Sequence, residues 1–181
     1  MVTEYSLEQM LAIWRTRMGI VATDDVTGLV RTDIADINAY LRQRIDDWYY
    51  QQLDTAPIQW LKIEDCSAEA TVTLQEGRVI AVKLPDRCRR VVRVRLKGWN
   101  QDAQIVTDNN SRLAQLQRSE FTRGGVCRPV AVASGRQLLL YQRGLELPTL
   151  TALECVCDPA EGVYAIDRRA LSTIPLIDIN I

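Results

Sequence analysis

The side chains in this sequence that could do chemistry are five cysteines, three adjacent pairs of carboxylates and a row of basic residues, and there is no histidine. Cys66, Cys88, Cys127, Cys155 and Cys157 include no CxxC spacing. Any zinc site would have to use thiolates and carboxylates alone, and Cys155-Val156-Cys157 places two thiols on one face of a strand, an awkward start for a tetrahedral site. The odd count reads as buried, reduced thiols. Without histidine the commonest base near neutral pH is missing, along with every Ser-His or Cys-His nucleophile system. Asp24-Asp25, Asp46-Asp47 and Glu64-Asp65 point neighbouring acids to different faces, so each reads as a cap or a solvated surface. No P-loop is present and no G-x-G-x-x-G follows a strand; Arg123-Gly124-Gly125 has a cradle's composition but no lysine and no following helix, so it reads as a turn. The expectation is a non-enzyme with no catalytic residues, no metal and no cofactor.

Charge supplies the remaining candidates. Residues 84–143 hold 12 basic and 4 acidic side chains, whereas the segments before and after them carry net charges of −5 and −4. An anionic partner would meet the middle segment; charge complementarity within the chain or between subunits accounts for the same pattern. Arg93, Arg95 and Lys97 alternate with Val92, Val94 and Leu96, which predicts a strand with one charged and one dry face. That row is a candidate subunit interface. In a second reading the basic segment is a single-stranded nucleic-acid-binding β module, with Arg87, Arg89 and Arg90 on phosphates and Trp99 stacking on a base. A thiol or carboxylate enzyme is a third class, which a cysteine of depressed pKa would signal.

These candidates need a scaffold. Of the 181 residues 47% are apolar and 25% charged, which suits a folded chain with one substantial core or a helical and a β piece. No apolar run approaches the roughly 20 residues that span a bilayer, and Met1-Val2-Thr3-Glu4 does not open a signal peptide, so a soluble, unsecreted protein is expected. Ser6 and Gln9 have capping-box spacing, which starts a helix at Leu7 with Leu7, Met10, Leu11, Trp14 and Met18 on one face and Gly19 as its stop. A second helix starts near Thr32 or Asp33, and Ile34, Ile37, Leu41, Ile45 and Trp48 form its stripe. Pro57 closes the helical part. Ile58, Trp60 and Leu61–Ile63 are expected as a short strand, 70–74 and 78–83 as a hairpin whose turn uses Gly77, and 103–107, 137–141 and 150–156 as further strands; 108–125 reads as a long polar connection. Asp167 is placed to cap a short turn through Leu171. Pro175 introduces an alternating end in which Leu176, Ile177, Ile179 and Ile181 form a second candidate interface, either inside the chain's own sheet or on a neighbour's. The fold class expected is α+β: a helical pair over 1–56, an antiparallel β-sandwich or barrel-like domain over 57–159, and an extension over 160–181.

The run Leu84-Pro85-Asp86, then Val92-x-Val94-x-Leu96, then Phe121-Thr122-Arg123-Gly124-Gly125, Pro129-Val130-Ala131 and Leu138-Leu139-Leu140-Tyr141, after a helical third, resembles the head-to-tail adaptor or ring proteins of tailed bacteriophages. The likeness covers about residues 84–159; Tyr141 lacks the proline that commonly follows in that family. The resemblance implies a virion structural protein made in the host cytoplasm. It also implies a homo-oligomer, a dodecameric ring, sited between the portal protein and later connector or tail proteins, with DNA passing non-specifically and no membrane contact.

Overall fold

Ser6 Oγ accepts from the Gln9 N–H at 3.3 Å and Gln9 Oε1 accepts from the Ser6 N–H at 2.8 Å, so the predicted capping box starts the first helix. The computed structural model describes residues 1–18, 33–141 and 149–175, apart from the side chains of 33–36 and 77. In chain order its elements are β1 (Val2–Ser6), α1 (Leu7–Arg17), α2 (Asp33–Thr55), β2 (Glu64–Asp65), β3 (Thr71–Gln75), β4 (Val79–Lys83), β5 (Cys88–Leu96), β6 (Gln104–Val106), α3 (Arg112–Arg118), β7 (Val130–Ser134), β8 (Gln137–Tyr141), β9 (Leu150–Cys157) and β10 (Val163–Asp167). The class is α+β, as expected. Two units emerge: Met1–Lys62 with Pro159–Ile181, and Ile63–Asp158.

In the first unit the apolar stripes find each other. Met10 and Trp14 of α1 are buried, as are Leu41, Ile45, Trp48, Tyr49 and Leu53 of α2, and the Trp14 and Trp48 rings meet edge to face at 6.2 Å. Ile37 lies off this core and is partly exposed; Ile34 falls among the undescribed side chains, and Gly19, the Asp24-Asp25 pair and Thr32 fall outside the described residues. β1 pairs antiparallel with β10, with Tyr5 opposite Tyr164, a pairing not foreseen from the sequence. Tyr49 reaches that ribbon: its hydroxyl accepts from Ala165 N–H at 3.0 Å and donates to Ala165 C=O at 3.3 Å. After Pro57 the expected strand is instead a 3-10 turn, Ile58–Trp60, followed by a single bridge from Leu61 to Ile166. Asp167 does cap a 3-10 turn, Arg168–Thr173, accepting from Arg169 N–H at 2.9 Å.

The second unit is sandwich-like, and its described strands close no barrel. A three-stranded sheet, β2-β9-β5, and a five-stranded sheet, β3-β4-β8-β7-β6, share one core that includes Val94, Leu96 and Leu153 from the first and Ile80, Val82, Leu138 and Leu140 from the second. All pairs are antiparallel except β6-β7. The β3-β4 hairpin has the register its alternation predicts, Val72 opposite Val82, but the left-handed residue of its turn is Arg78 (φ 58°). The outer face of the five-stranded sheet carries a smaller cluster, Val106, Val130, Val132 and Tyr141, covered by Ala114 and Leu113 of α3. That helix interrupts the connection expected to be irregular. Ser111 caps it by accepting from Ala114 N–H at 3.3 Å. No described helix is long and apolar enough to cross a membrane.

Candidate functional site

The basic row lies on β5, where strict alternation fails. Register shifts interrupt the β5-β9 ladder between Cys88 and Arg90, Val91 and Arg93, and Arg95 and Leu96. A bulge inserts a residue and changes which side chains face the core. Val91, Val94 and Leu96 accordingly pack inward, with Val91 in the place expected for Val92. Arg93 and Arg95 are held half-buried on the other side, and Lys97 is exposed.

Carboxylates of the same unit surround this row. Arg93 Nη1 lies 2.8 Å from Glu154 Oε1 and its Nε 3.0 Å from Asp102 Oδ2, while Arg95 Nη1 lies 3.8 Å from the other oxygen of Asp102. Arg95 Nη2 also donates to the carbonyls of Trp99 and Asn100, at 3.1 and 3.3 Å. Arg87 grips Glu69 with two bonds, 3.0 and 2.6 Å, and pairs with Glu64 through its third nitrogen. Arg89 pairs with Asp158 at 3.1 Å, Arg136 with Asp86 at 3.5 Å, and Arg90 is half-buried and partnered. These bonds hold the Arg87 guanidinium above its ordinary range, through Glu69 and then Glu64, and the Glu69 carboxyl below its own, through Arg87. The charge segregation along the sequence is therefore offset inside one unit: Glu64 and Glu69 come from the acidic start, Glu154 and Asp158 from the acidic end. Trp99, the stacking platform of the alternative nucleic-acid reading, is 5% exposed because its ring folds into the core beneath the Gly98 turn (φ 87°).

Each segment of the phage-like run has a packing role. Leu84, Leu138 and Leu140 lie in the core, Cys88 N–H turns back onto Pro85 C=O at 3.0 Å, and Asp86 holds Arg136. Arg123 is 5% exposed; its Nε donates to Gln117 C=O at 2.9 Å and its guanidinium covers the Tyr141 ring. Gly124 is required there, since a Cβ would fall 1.9 Å from the Arg128 carbonyl oxygen. This loop and α3 border an open cleft of about 560 Å³ whose walls include Asp102, Gln104, Leu116, Gln117, Arg128 and Pro129. Close to it in sequence, Phe121 is 94% exposed, Val126 50% and Leu116 38%. In the sequence Phe121 figures only as part of the Phe121–Gly125 segment, and Val126 and Leu116 not at all, although a phenylalanine in a polar loop is itself a signal of an exposed apolar patch.

Four thiols converge in the β unit. Cys66, Cys88, Cys155 and Cys157 are buried and reduced, while Cys127 is exposed. Cys66 Sγ and Cys157 Sγ are 3.5 Å apart, and the neighbouring Cys88 thiol, then burial, push the Cys155 thiol up. Burial first, then the contact with Cys66, pushes the Cys157 thiol up to about 12; the bond from Cys155, helped by Arg136 and Arg87, holds Cys88 below its usual value. Among the described residues no group of three or more Cys, Asp or Glu side chains is arranged to hold a metal ion. Leu176, Ile177, Ile179 and Ile181 lie outside the described residues. Compared with known proteins, the chain matches no family model and no curated sequence.

Proposed function

We propose that this chain is a ring-forming structural subunit of a bacteriophage head-to-tail connector, placed below the portal as a passage for DNA and a platform for tail components. The observation that favours assembly over nucleic-acid binding is the engagement of Arg87, Arg89, Arg93 and Arg95 by Glu64, Glu69, Asp158, Glu154 and Asp102. Phosphates would have to displace those carboxylates, and a buried Trp99 offers no stacking plane. Exposed Phe121 and Val126 suit burial against a protein neighbour instead. On this reading the neighbours are further copies of the chain, joined head to tail around a closed ring, with portal and tail proteins above and below. DNA passes without its sequence being read.

The competing reading, a single-stranded nucleic-acid-binding module, rests on the surplus of basic residues over 84–143. Electron micrographs of the purified full chain separate the two. Rings of one diameter support the connector reading; dispersed particles that retain an oligonucleotide in low salt and release it in high salt support the other.

A further inference from the structure

The thiol cluster sits where the chain enters and leaves the β unit. That unit runs from Ile63 to Asp158, so Cys66 lies within its first turn of chain and Cys157 is its penultimate residue. They are 91 residues apart in sequence, yet their sulfurs are in contact at 3.5 Å. Arg87, fixed by Glu64 and Glu69, brings Nη2 to 3.9 Å from Cys66 Sγ. The guanidinium thus faces a sulfur that would gain negative charge in an attack.

We propose that Cys66 and Cys157 are a disulfide-forming pair that, on oxidation by a peroxide, closes the β unit into a covalent loop. Cys157 is 8% exposed and Cys66 0%, so the oxidant meets Cys157 first. The Cys157 sulfur attacks one peroxide oxygen; the O–O bond breaks, and the departing hydroxide leaves as water with the thiol proton. Cys66 Sγ then attacks the sulfenic sulfur. The S–O bond breaks, and the oxygen leaves as a second water with the Cys66 proton. Two thiols lose two electrons and one peroxide becomes two waters. The first step is slow because burial keeps the Cys157 thiol protonated.

A link enclosing nearly the whole unit restricts the unfolded chain more than a short one does. It joins the segment after β2 to the end of β9, so the unit cannot unravel from either terminus. A subunit assembled in a reducing cytoplasm and later carried into oxidising surroundings would acquire the brace after assembly. The crosslink itself does not depend on the connector reading, and its test is indifferent to oligomeric state.

The test uses the full chain, treated with hydrogen peroxide, unfolded, alkylated, digested and mapped by mass spectrometry. A peptide pair joined through Cys66 and Cys157, two hydrogens lighter than its parts and released by dithiothreitol, is expected. The oxidised protein should also melt roughly 5 °C or more higher than the reduced one. The Cys127→Ser variant should behave identically. Five thiols that all still alkylate, a link through Cys88 or Cys127 in place of this one, or the expected link with no rise in melting temperature would each overturn the proposal.

Discussion

The Arg123 guanidinium carbon lies 5.4 Å from the centre of the Tyr141 ring, joining two residues 18 positions apart that both belong to the phage-like run. The Arg123 Nε bond to Gln117 C=O fixes the guanidinium from the side. Arg123→Ala should lose the cation–π contact and this bond, at a cost of about 1–3 kcal/mol in urea denaturation. Arg123→Lys should recover less than half, because an ammonium lacks the planar fork. Full recovery by lysine would reduce the contact to simple charge.

Trp14 and Trp48 have different polar surroundings despite sharing one contact. Trp48 Nε1 donates to Thr173 Oγ1 at 3.2 Å, whereas Trp14 Nε1 has no partner among the described residues. Truncating either residue to alanine should cost about 3–5 kcal/mol. Phenylalanine should be tolerated better at position 14 than at 48, by roughly 1 kcal/mol, since only Trp48 loses a hydrogen bond. Equal losses in thermal melts would contradict this assignment.

Arg93 and Lys97 were equivalent in the sequence pattern but are not in the fold. Arg93→Glu would set a third carboxylate against Asp102 and Glu154 and should lower the urea midpoint clearly. Lys97→Glu changes an exposed side chain and should leave the midpoint within scatter. The fold of Arg93→Glu surviving unchanged would mean that its ion pairs hold nothing in place.

Asp167 gives the first unit a defined acid response. Arg169 contacts both carboxylate oxygens, at 2.9 and 3.2 Å, and the Met1 amino group adds another bond; together they hold this carboxyl well below its usual range. A carboxyl depressed in the folded state stabilises fully above its unfolded value, about 4, and that contribution fades as pH falls through the folded value. Asp167→Asn should therefore be less stable than the parent at neutral pH, with the gap closing below about pH 4. Urea melts showing the same gap at both pH values would remove the carboxylate's charge from the explanation.

Signals confined to one or two turns of chain were legible. The Ser6–Gln9 box, the α2 stripe through Leu41, Ile45 and Trp48, the β3-β4 hairpin and the Asp167 cap all depend on local spacing. β1 and β10 were missed because each is five residues long and takes its partner from the far end of the sequence. α3 was missed because two turns of polar helix show little periodicity, although Ser111 was a readable cap. The bulges of β5 leave no trace in alternation, so the inward turn of Val91 could not be foreseen. Partners of the arginines on and before β5 were illegible for a different reason: Glu64 and Glu69, which hold Arg87, come from the preceding segment, while Glu154, which holds Arg93, and Asp158, which holds Arg89, lie more than 60 residues further along the chain. Trp99 misled because a Gly-Trp-Asn turn reads as surface, while its ring packs underneath.

The central claim is that the chain assembles as a structural ring, and the native mass of the purified full-length protein tests it most directly. A single species at a fixed multiple of the 20.5 kDa chain, stable to dilution and to moderate salt, is the predicted result. The dodecamer is the multiple implied by the resemblance. A monomer at every concentration, binding single-stranded oligonucleotide with an affinity that falls steeply as salt rises, would contradict the account.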